Sequence, residues 1–294
     1  MKYILQVRSI LEYGQRKDAD GKPHQEDCIF PAYGSKSPTG STFILCDGMG
    51  GHDAGEVASR TVCETMGMYC NRFDDKFTDE DFEEALTDAY HALDAKDTGA
   101  TKKMGTTLAF LQLHDGGATV AHIGDSRVYH IRPGATRKDT EILFATEDHS
   151  LVNSLIKAGE LRKEETHGFQ RRNVITRAMQ PNMFTPSQAD IHHITDIRPG
   201  DYFYLCSDGM LESEDMDNGT SLRNIFSLQG GNLKKKISIL KRATKLNRDN
   251  HSAIVVHICD IIKKPKPFLS IKALLGLISV LIVIVAVIAL YLFF

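Results

Sequence analysis

The stretch Thr107-Leu-Ala-Phe-Leu-Gln-Leu-His-Asp-Gly-Gly-Ala-Thr-Val-Ala-His-Ile-Gly-Asp-Ser-Arg-Val-Tyr-His-Ile131 contains three strand-length apolar runs, Thr107 to Leu113, Thr119 to Ile123 and Arg127 to Ile131. The first two are joined by a short turn around Asp115-Gly116-Gly117, and only Gly124-Asp125-Ser126 separates the second from the third. Neither link has the dozen or so residues that a parallel crossover needs, so the runs read as neighbouring antiparallel strands. Further strand candidates are Tyr3 to Val7, Thr42 to Cys46, Ile142 to Ala145, Tyr202 to Cys206 and Ala253 to Ile258. Helices are expected at Gly55 to Tyr69, Thr78 to Asp94, Leu151 to Ala158 and Leu233 to Leu246. In the second of these, Thr78 and Asp81 look like a capping pair, and Phe82, Ala85, Leu86, Ala89 and Leu93 share one face. Strands cluster around pairs of helices instead of alternating with them, which predicts an α+β layered domain.

The 294 residues, 42% hydrophobic and 25% charged, describe a globular chain with ample core. A net charge of -3 carries no polycationic signature, so nucleic acid is not an expected partner. The six cysteines are scattered without a C-x-x-C pair and read as free thiols in a reducing compartment. No secretory signal is expected at the polar opening Met1 to Tyr13. From Ala273 to Phe294 the chain is apolar or small except for Ser279 and Tyr291. As a helix those 22 residues would span roughly 33 Å, enough to cross a hydrocarbon core. Lys263, Lys264, Lys266 and Lys272 precede the run, and the positive-inside bias places that flank in the cytoplasm. The expected organisation is a catalytic domain at 1–260, a basic Lys/Pro linker at 261–272 and a membrane-spanning tail anchor at 273–294.

Four aspartates stand at the ends of apolar runs: Asp47 after Phe43 to Cys46, Asp125 after Val120 to Ile123, Asp208 after Tyr202 to Cys206, and Asp249 before Ala253 to Val256. Glu26-Asp27 adjoins a fifth run at Cys28. Asp47 opens Asp47-Gly-Met-Gly-Gly-His52, which on its own reads equally as a glycine-rich turn with a capping Asp. Converging at one end of a sheet, these acids would repel unless cations held them together. An oxygen-only ligand set favours Mg2+ or Mn2+ over Zn2+. Two such ions about 4 Å apart share a water, lower its pKa and stabilise in-line attack on phosphorus. Gly48 to Glu56 lacks the Gly-Lys-Ser/Thr ending of a nucleotide loop, and His192-His193 has no acid or cysteine at metal spacing.

Gln25-Glu26-Asp27, Asp47-Gly-Met-Gly-Gly-His52, Gly105-Thr106-Thr107, Gly124-Asp125-Ser126-Arg127, Asp148-His149-Ser150, Asn173-Val-Ile-Thr-Arg177, Ser207-Asp208-Gly209 and Asp249-Asn250 run in collinear order. Together they resemble the metal-dependent type 2C serine/threonine protein phosphatases, the PPM family, from about residue 5 to 259. The segment from about Ser150 to Arg177 is most similar to the flap of bacterial-type members.

That resemblance implies a four-layer α-β-β-α sandwich of two antiparallel sheets flanked by helices. It also implies two Mn2+ or Mg2+ ions, with a third, weaker site in many members. Asp47 would bridge two metals and the Gly48 carbonyl would bind one; Asp208 and Asp249 would complete the first, and Glu26 with Asp27 would hold the second metal's waters. Asp125 and Asp208 would hold the third. The bridging hydroxide would attack a phosphoserine or phosphothreonine phosphorus, and His52 would protonate the leaving alkoxide, a role suited to the ordinary imidazole pKa of about 6.5.

The family's phosphate-clamping Arg slot, five residues before the metal-site Asp, holds Lys22, and Gly14-Gln15-Arg16 precedes an inserted 17–22 segment. Arg16 is the favoured clamp, since a guanidinium grips phosphate bidentately. Gln180 stands where a glycine is common. The expected partners are phosphoproteins, some at a membrane, and the catalytic domain is expected to be monomeric. A silent phospho-sensing scaffold would have lost one of Asp47, Asp208 and Asp249, and all three are present. A structural protein whose acids bind calcium is the remaining alternative.

Overall fold

The computed structural model describes residues 1–15, 23–34, 40–50, 54–73, 75–99, 103–162, 165, 174–262, 279, 284, 285 and 288. Met1–Ile262 forms one compact unit and Lys263–Phe294 a second.

In the first unit eleven strands are described: β1 (Lys2–Glu12), β2 (Asp27–Phe30), β3 (Thr42–Met49), β4 (Gly105–Thr106), β5 (Leu108–His114), β6 (Gly117–Ile123), β7 (Arg127–Arg132), β8 (Glu141–Ala145), β9 (Asp190–Ile194), β10 (Tyr202–Cys206) and β11 (His251–Ile262). They form two antiparallel sheets, one ordered β1-β11-β10-β7-β8 and the other β2-β3-β5-β6-β9, with β4 added on β3. The hairpin β5-β6 pairs Leu108 with Ile123 through to His114 with Gly117, as the short Asp115-Gly116 turn requires.

The strands read as almost unbroken apolar runs because both faces of each sheet are covered. On β3, Phe43 and Leu45 point between the sheets, where they meet Phe203, Leu205, Ile254 and Val256 from the other sheet. Ile44 and Cys46 point the opposite way, onto α1 (Ala54–Cys70) and α2 (Asp79–Asp94) through Val62, Met66, Phe82 and Leu93. The outer face of the first sheet, with Tyr204 and Val255, packs on α5 (Thr220–Phe226) and α6 (Leu233–Thr244) through Leu222, Phe226 and Leu240. Two helical layers thus enclose two sheets, giving the α-β-β-α order. Two short helices, α3 (Leu151–Lys157) and α4 (Glu214–Asp217), complete the described set.

Several elements exceed their sequence outline. The first strand extends to Glu12 because it pairs along its whole length with β11, from Lys2 opposite Ile262 to Glu12 opposite His251. β11 runs on through Ile262, two residues into the expected linker. In the second unit, residues 279, 284, 285 and 288 are helical, with Ile284, Val285 and Ile288 exposed. The rest of the expected linker and membrane helix lies outside the described residues, among which no helix is long and apolar enough to cross a membrane.

The α2 cap takes its expected form: Thr78 Oγ1 accepts the Asp81 N–H at 3.2 Å and Asp81 Oδ2 accepts the Thr78 N–H at 2.8 Å. Thr78→Ala removes the first of these bonds and is expected to cost about 1 kcal/mol, measured as a lower urea midpoint with unchanged slope.

Candidate active site

The centre of the site is set by register. β2 and β3 pair antiparallel with Asp27 directly opposite Asp47, one pair along from Cys28 and Cys46. Asp47 is gripped through its backbone by the Gly105-Thr106-Thr107 segment. Thr107 Oγ1 accepts the Asp47 N–H at 2.9 Å, while Thr106 Oγ1 and the Thr107 N–H both donate to the Asp47 carbonyl at 2.9 Å. Next in chain, Gly48 donates its N–H to Glu26 O at 3.0 Å. A Cβ there would lie 2.2 Å from Gly55 O and 2.6 Å from Glu26 O, so the start of α1 and the β2 approach close only over a glycine.

The other sheet supplies Asp208, just past β10, and Asp249, just before β11. Ser207 joins the two sheets, donating its hydroxyl to Asp27 Oδ2 at 3.0 Å while accepting the Ser252 N–H at 3.0 Å. Asn250 holds the Glu26 segment: its Oδ1 accepts the Glu26 N–H at 2.9 Å and its Nδ2 donates to His24 O at 2.8 Å. Glu212 accepts the Arg248 and Asp249 N–H groups at 2.8 Å, setting the backbone that carries Asp249. Arg127 is bound bidentately by Asp148, both bonds 2.6 Å, beside the turn bearing Asp125.

These contacts bring Asp27, Asp47, Asp125, Asp208 and Asp249 within electrostatic reach of one another. Burial pushes the Asp47 carboxyl well above its ordinary range, and Asp27, Asp208, Asp125 and Asp249 push it further. Burial lifts Asp27 to about 7, with Asp208 and Asp249 adding to the rise and the neighbouring Ser252 and Ser207 hydroxyls opposing it. Asp125 rises to about 7 through burial and then Asp208 and Asp148. Asp208 rises to about 6 through burial and then Asp249, offset by a hydrogen bond with Asp47. Asp27 Oδ1 is buried with no hydrogen-bond partner. An all-oxygen donor set, mutual repulsion and an orphaned buried carboxylate oxygen are what hard divalent cations would satisfy.

The structure therefore gathers Asp27, Asp47, Gly48, Asp125, Asp208 and Asp249, with the Glu26 backbone bonded to Gly48. His52, Arg16 and Lys22 lie outside the described residues. The turn after Met179 does not need a glycine at Gln180: its left-handed residue is Asn182, at φ 52, whose N–H donates to Asp94 Oδ1 at 2.6 Å. Thr106, Thr107, Ser207 and Asn250 enter the sequence reading only as members of the quoted motifs, with no duty assigned to them, and Glu212 does not enter it. The signal available there is that each adjoins, or lies a few residues from, an acid or its strand.

The protein phosphatase 2C family model matches residues 13–247. The chain belongs to the protein phosphatase 2C family. A putative protein phosphatase 2C-type protein of Streptococcus pyogenes is 34% identical over 171 residues, covering 57% of this chain and 66% of that protein. Protein phosphatase PhpP of Streptococcus pneumoniae is 35% identical over 193 residues, covering 63% of this chain and 72% of PhpP. The crystal structure of the Mycobacterium tuberculosis serine/threonine phosphatase PstP/Ppp superposes with a TM-score of 0.68 at 25% identity, covering 86% of this chain and 98% of that one. The catalytic domain of PstP has also been crystallised with 2 manganese ions.

Crowding of this phosphatase-family site has a pH signature. With ions removed, the native state holds protons on Asp27, Asp125 and Asp208 up to pH 6–7, against about 3.9 for an unfolded Asp. It binds more protons than the unfolded chain in that window, so stability falls as pH rises through it. In EDTA the melting temperature is expected to drop between about pH 4 and about pH 7. Mn2+ should restore more at the upper end, and Asp208→Asn should flatten the EDTA slope. Scanning fluorimetry reads all three, and an unchanged slope in the variant would contradict the crowding.

Proposed function

We propose that this chain is a metal-dependent protein serine/threonine phosphatase, removing phosphate from phosphoserine and phosphothreonine in proteins. The observation that carries the reading is the convergence of five carboxylates from both sheets, one with an orphaned buried oxygen, around a glycine turn that admits no side chain.

In this reading Asp47, the Gly48 carbonyl, Asp208 and Asp249, with Glu26 and Asp27, would hold two Mn2+ or Mg2+ ions, and Asp125 with Asp208 would hold a third. When bound, the ions supply an acidified water as nucleophile and positive charge for the phosphate. The chain's own groups do the rest. His52 delivers a proton to the departing serine or threonine oxygen, and Arg16, or Lys22 in its place, grips the phosphate. Thr106, Thr107, Asn250 and Ser207 keep the acids in place.

The anchor belongs to the same proposal. The apolar run 273–294 spans the membrane, the lysine-rich linker lies on the cytoplasmic side, and 1–260 works as a monomer on substrates at or near that surface. The run of apolar residues, its lysine flank and the exposed helical Ile284, Val285 and Ile288 support this. A catalytically silent scaffold finds no support, since no site acid is missing.

Asp208→Asn is expected to lower Mn2+-dependent phosphopeptide hydrolysis by more than about 100-fold, beyond the usual loss from a supporting residue, with the circular-dichroism spectrum unchanged. Retained turnover would refute the assignment. His52→Ala should slow phosphoserine hydrolysis far more than that of p-nitrophenyl phosphate, whose leaving group scarcely needs a proton; equal losses would count against the proton donor.

A further inference from the structure

Two groups have no part in the metal site as described, His149 of the Asp148-His149-Ser150 motif and the Thr176-Arg177 end of the flap segment, and the structure joins both to the turn that carries Asp125. His149 is 8% exposed and holds both backbone polar groups of Gly124. Its own N–H donates to Gly124 O at 2.9 Å, and its Nδ1 accepts the Gly124 N–H at 3.1 Å. Gly124 sits at φ +102, where a Cβ would come 2.6 Å from the side chain of Thr107, the residue that grips Asp47. The turn is thus wedged between the clamp on Asp47 and His149, with Asp125 next in chain.

A backbone N–H can only donate, so Nδ1 of His149 is unprotonated and its hydrogen is on Nε2. Nε2 lies 3.1 Å from Asp190 Oδ2, to which it donates, and 3.2 Å from Arg177 Nη1, a donor that is itself held by Asp190. Arg177 Nη1 donates to Asp190 Oδ1 at 2.7 Å, and Thr176 N–H donates to His149 O at 2.7 Å. Burial lowers the His149 pKa, against the hydrogen bond to Asp190, in the same sense as the neutral ring that the Gly124 N–H requires. Although burial works the other way, hydrogen bonds from His149 and Arg177 hold Asp190 at about 2, a full carboxylate.

His122, His149 and Asp190 do present ligand atoms within 4.8 Å of one another. They make a poor metal centre. The two imidazoles are stacked 4.4 Å apart and 17° from parallel, so their lone pairs do not converge, and Arg177 already supplies the cation.

We infer that His149 and Asp190 are positioning residues: Asp190 fixes the imidazole tautomer, and His149 clamps Gly124 at both its N–H and its carbonyl so that Asp125 is aimed into the metal cluster. This rests on the reading of Asp125 as a ligand of the third ion. Histidine suits the place because one ring must accept at Nδ1 and donate at Nε2 simultaneously.

Two substitutions divide these duties. The Oδ1 in His149→Asn stands where Nδ1 stands and keeps the Gly124 bond, whereas the amide in His149→Gln reaches toward Asp190 and gives that bond up. With the full chain in detergent micelles, amide exchange at Gly124 by NMR and Mn2+ titration by calorimetry read both. His149→Gln is expected to speed Gly124 exchange about tenfold, the scale of one lost hydrogen bond, and to weaken the weakest Mn2+ class similarly. His149→Asn should stay within about threefold of wild type on both measures. Asp190→Ala, at a half-exposed position that does not threaten folding, should fall between them. Wild-type exchange and titration in His149→Gln, the same loss in His149→Asn as in His149→Gln, or no change in Asp190→Ala would each overturn the inference. Failure of the wild-type chain to hydrolyse p-nitrophenyl phosphate with Mn2+ would instead refute the phosphatase reading, and the Gly124 exchange rates would still judge the clamp.

Discussion

Mutual repulsion among buried and partly buried carboxylates is the constraint on which the rest of this structure depends. Left in water, five acids would spread apart; here two antiparallel sheets bring their ends together and remove most of the solvent that would screen them. Asp47 is the centre of the conflict, with four other aspartates raising its proton affinity. A scaffold that permits this must resist the outward force on every strand end. The resistance comes from the inter-sheet core of Phe43, Leu45, Leu111, Phe203, Leu205 and Val256, all fully buried immediately behind the acids.

The apolar core fixes where the strands lie but not where each carboxylate points. That is done by hydrogen-bonding groups acting on backbone: Thr106 and Thr107 on Asp47, Asn250 on the Glu26 segment, His149 on the turn before Asp125, and the Glu212 carboxylate on the backbone of Asp249. All but Glu212 are neutral and add no charge to a place already overcharged, and they bond to atoms the ions do not need. Ser207 is the exception in touching a carboxylate directly, and it engages only Oδ2 of Asp27, leaving Oδ1 without a partner.

Much of this was legible in the sequence because its strongest signals are local. The hairpin around Asp115-Gly116, the capping box of α2 and the apolar face of that helix depend on residues within a few positions of one another, and all appear as expected. The acids were legible for a related reason: each interrupts or borders an apolar run. What was not legible is non-local. Nothing near Leu11 says that β1 runs on to Glu12, because its partner in β11 lies some 240 residues away. Gly48 was read as glycine so that its carbonyl could face the site; the structure shows a steric reason too, in carbonyl oxygens from Gly55 and Glu26 that would meet any side chain. Gln180 stands where the family commonly has a glycine, while the left-handed residue here falls at Asn182, whose amide is bound by an acid at the end of α2.

The repulsion that makes the site demanding also explains why it is retained. Replacing one of these acids by a neutral residue would relieve a buried conflict and, with the ions absent, favour the folded chain. A structural role would therefore select against the cluster. An arrangement that sets carboxylates from both sheets against one another has its physical rationale in something positively charged held among them. That is why convergence, rather than any single motif, carries the functional reading: one acid at a strand end is a turn, but Asp27, Asp47, Asp125 and Asp208, raised together by burial and by neighbouring carboxylates, favour a held cation.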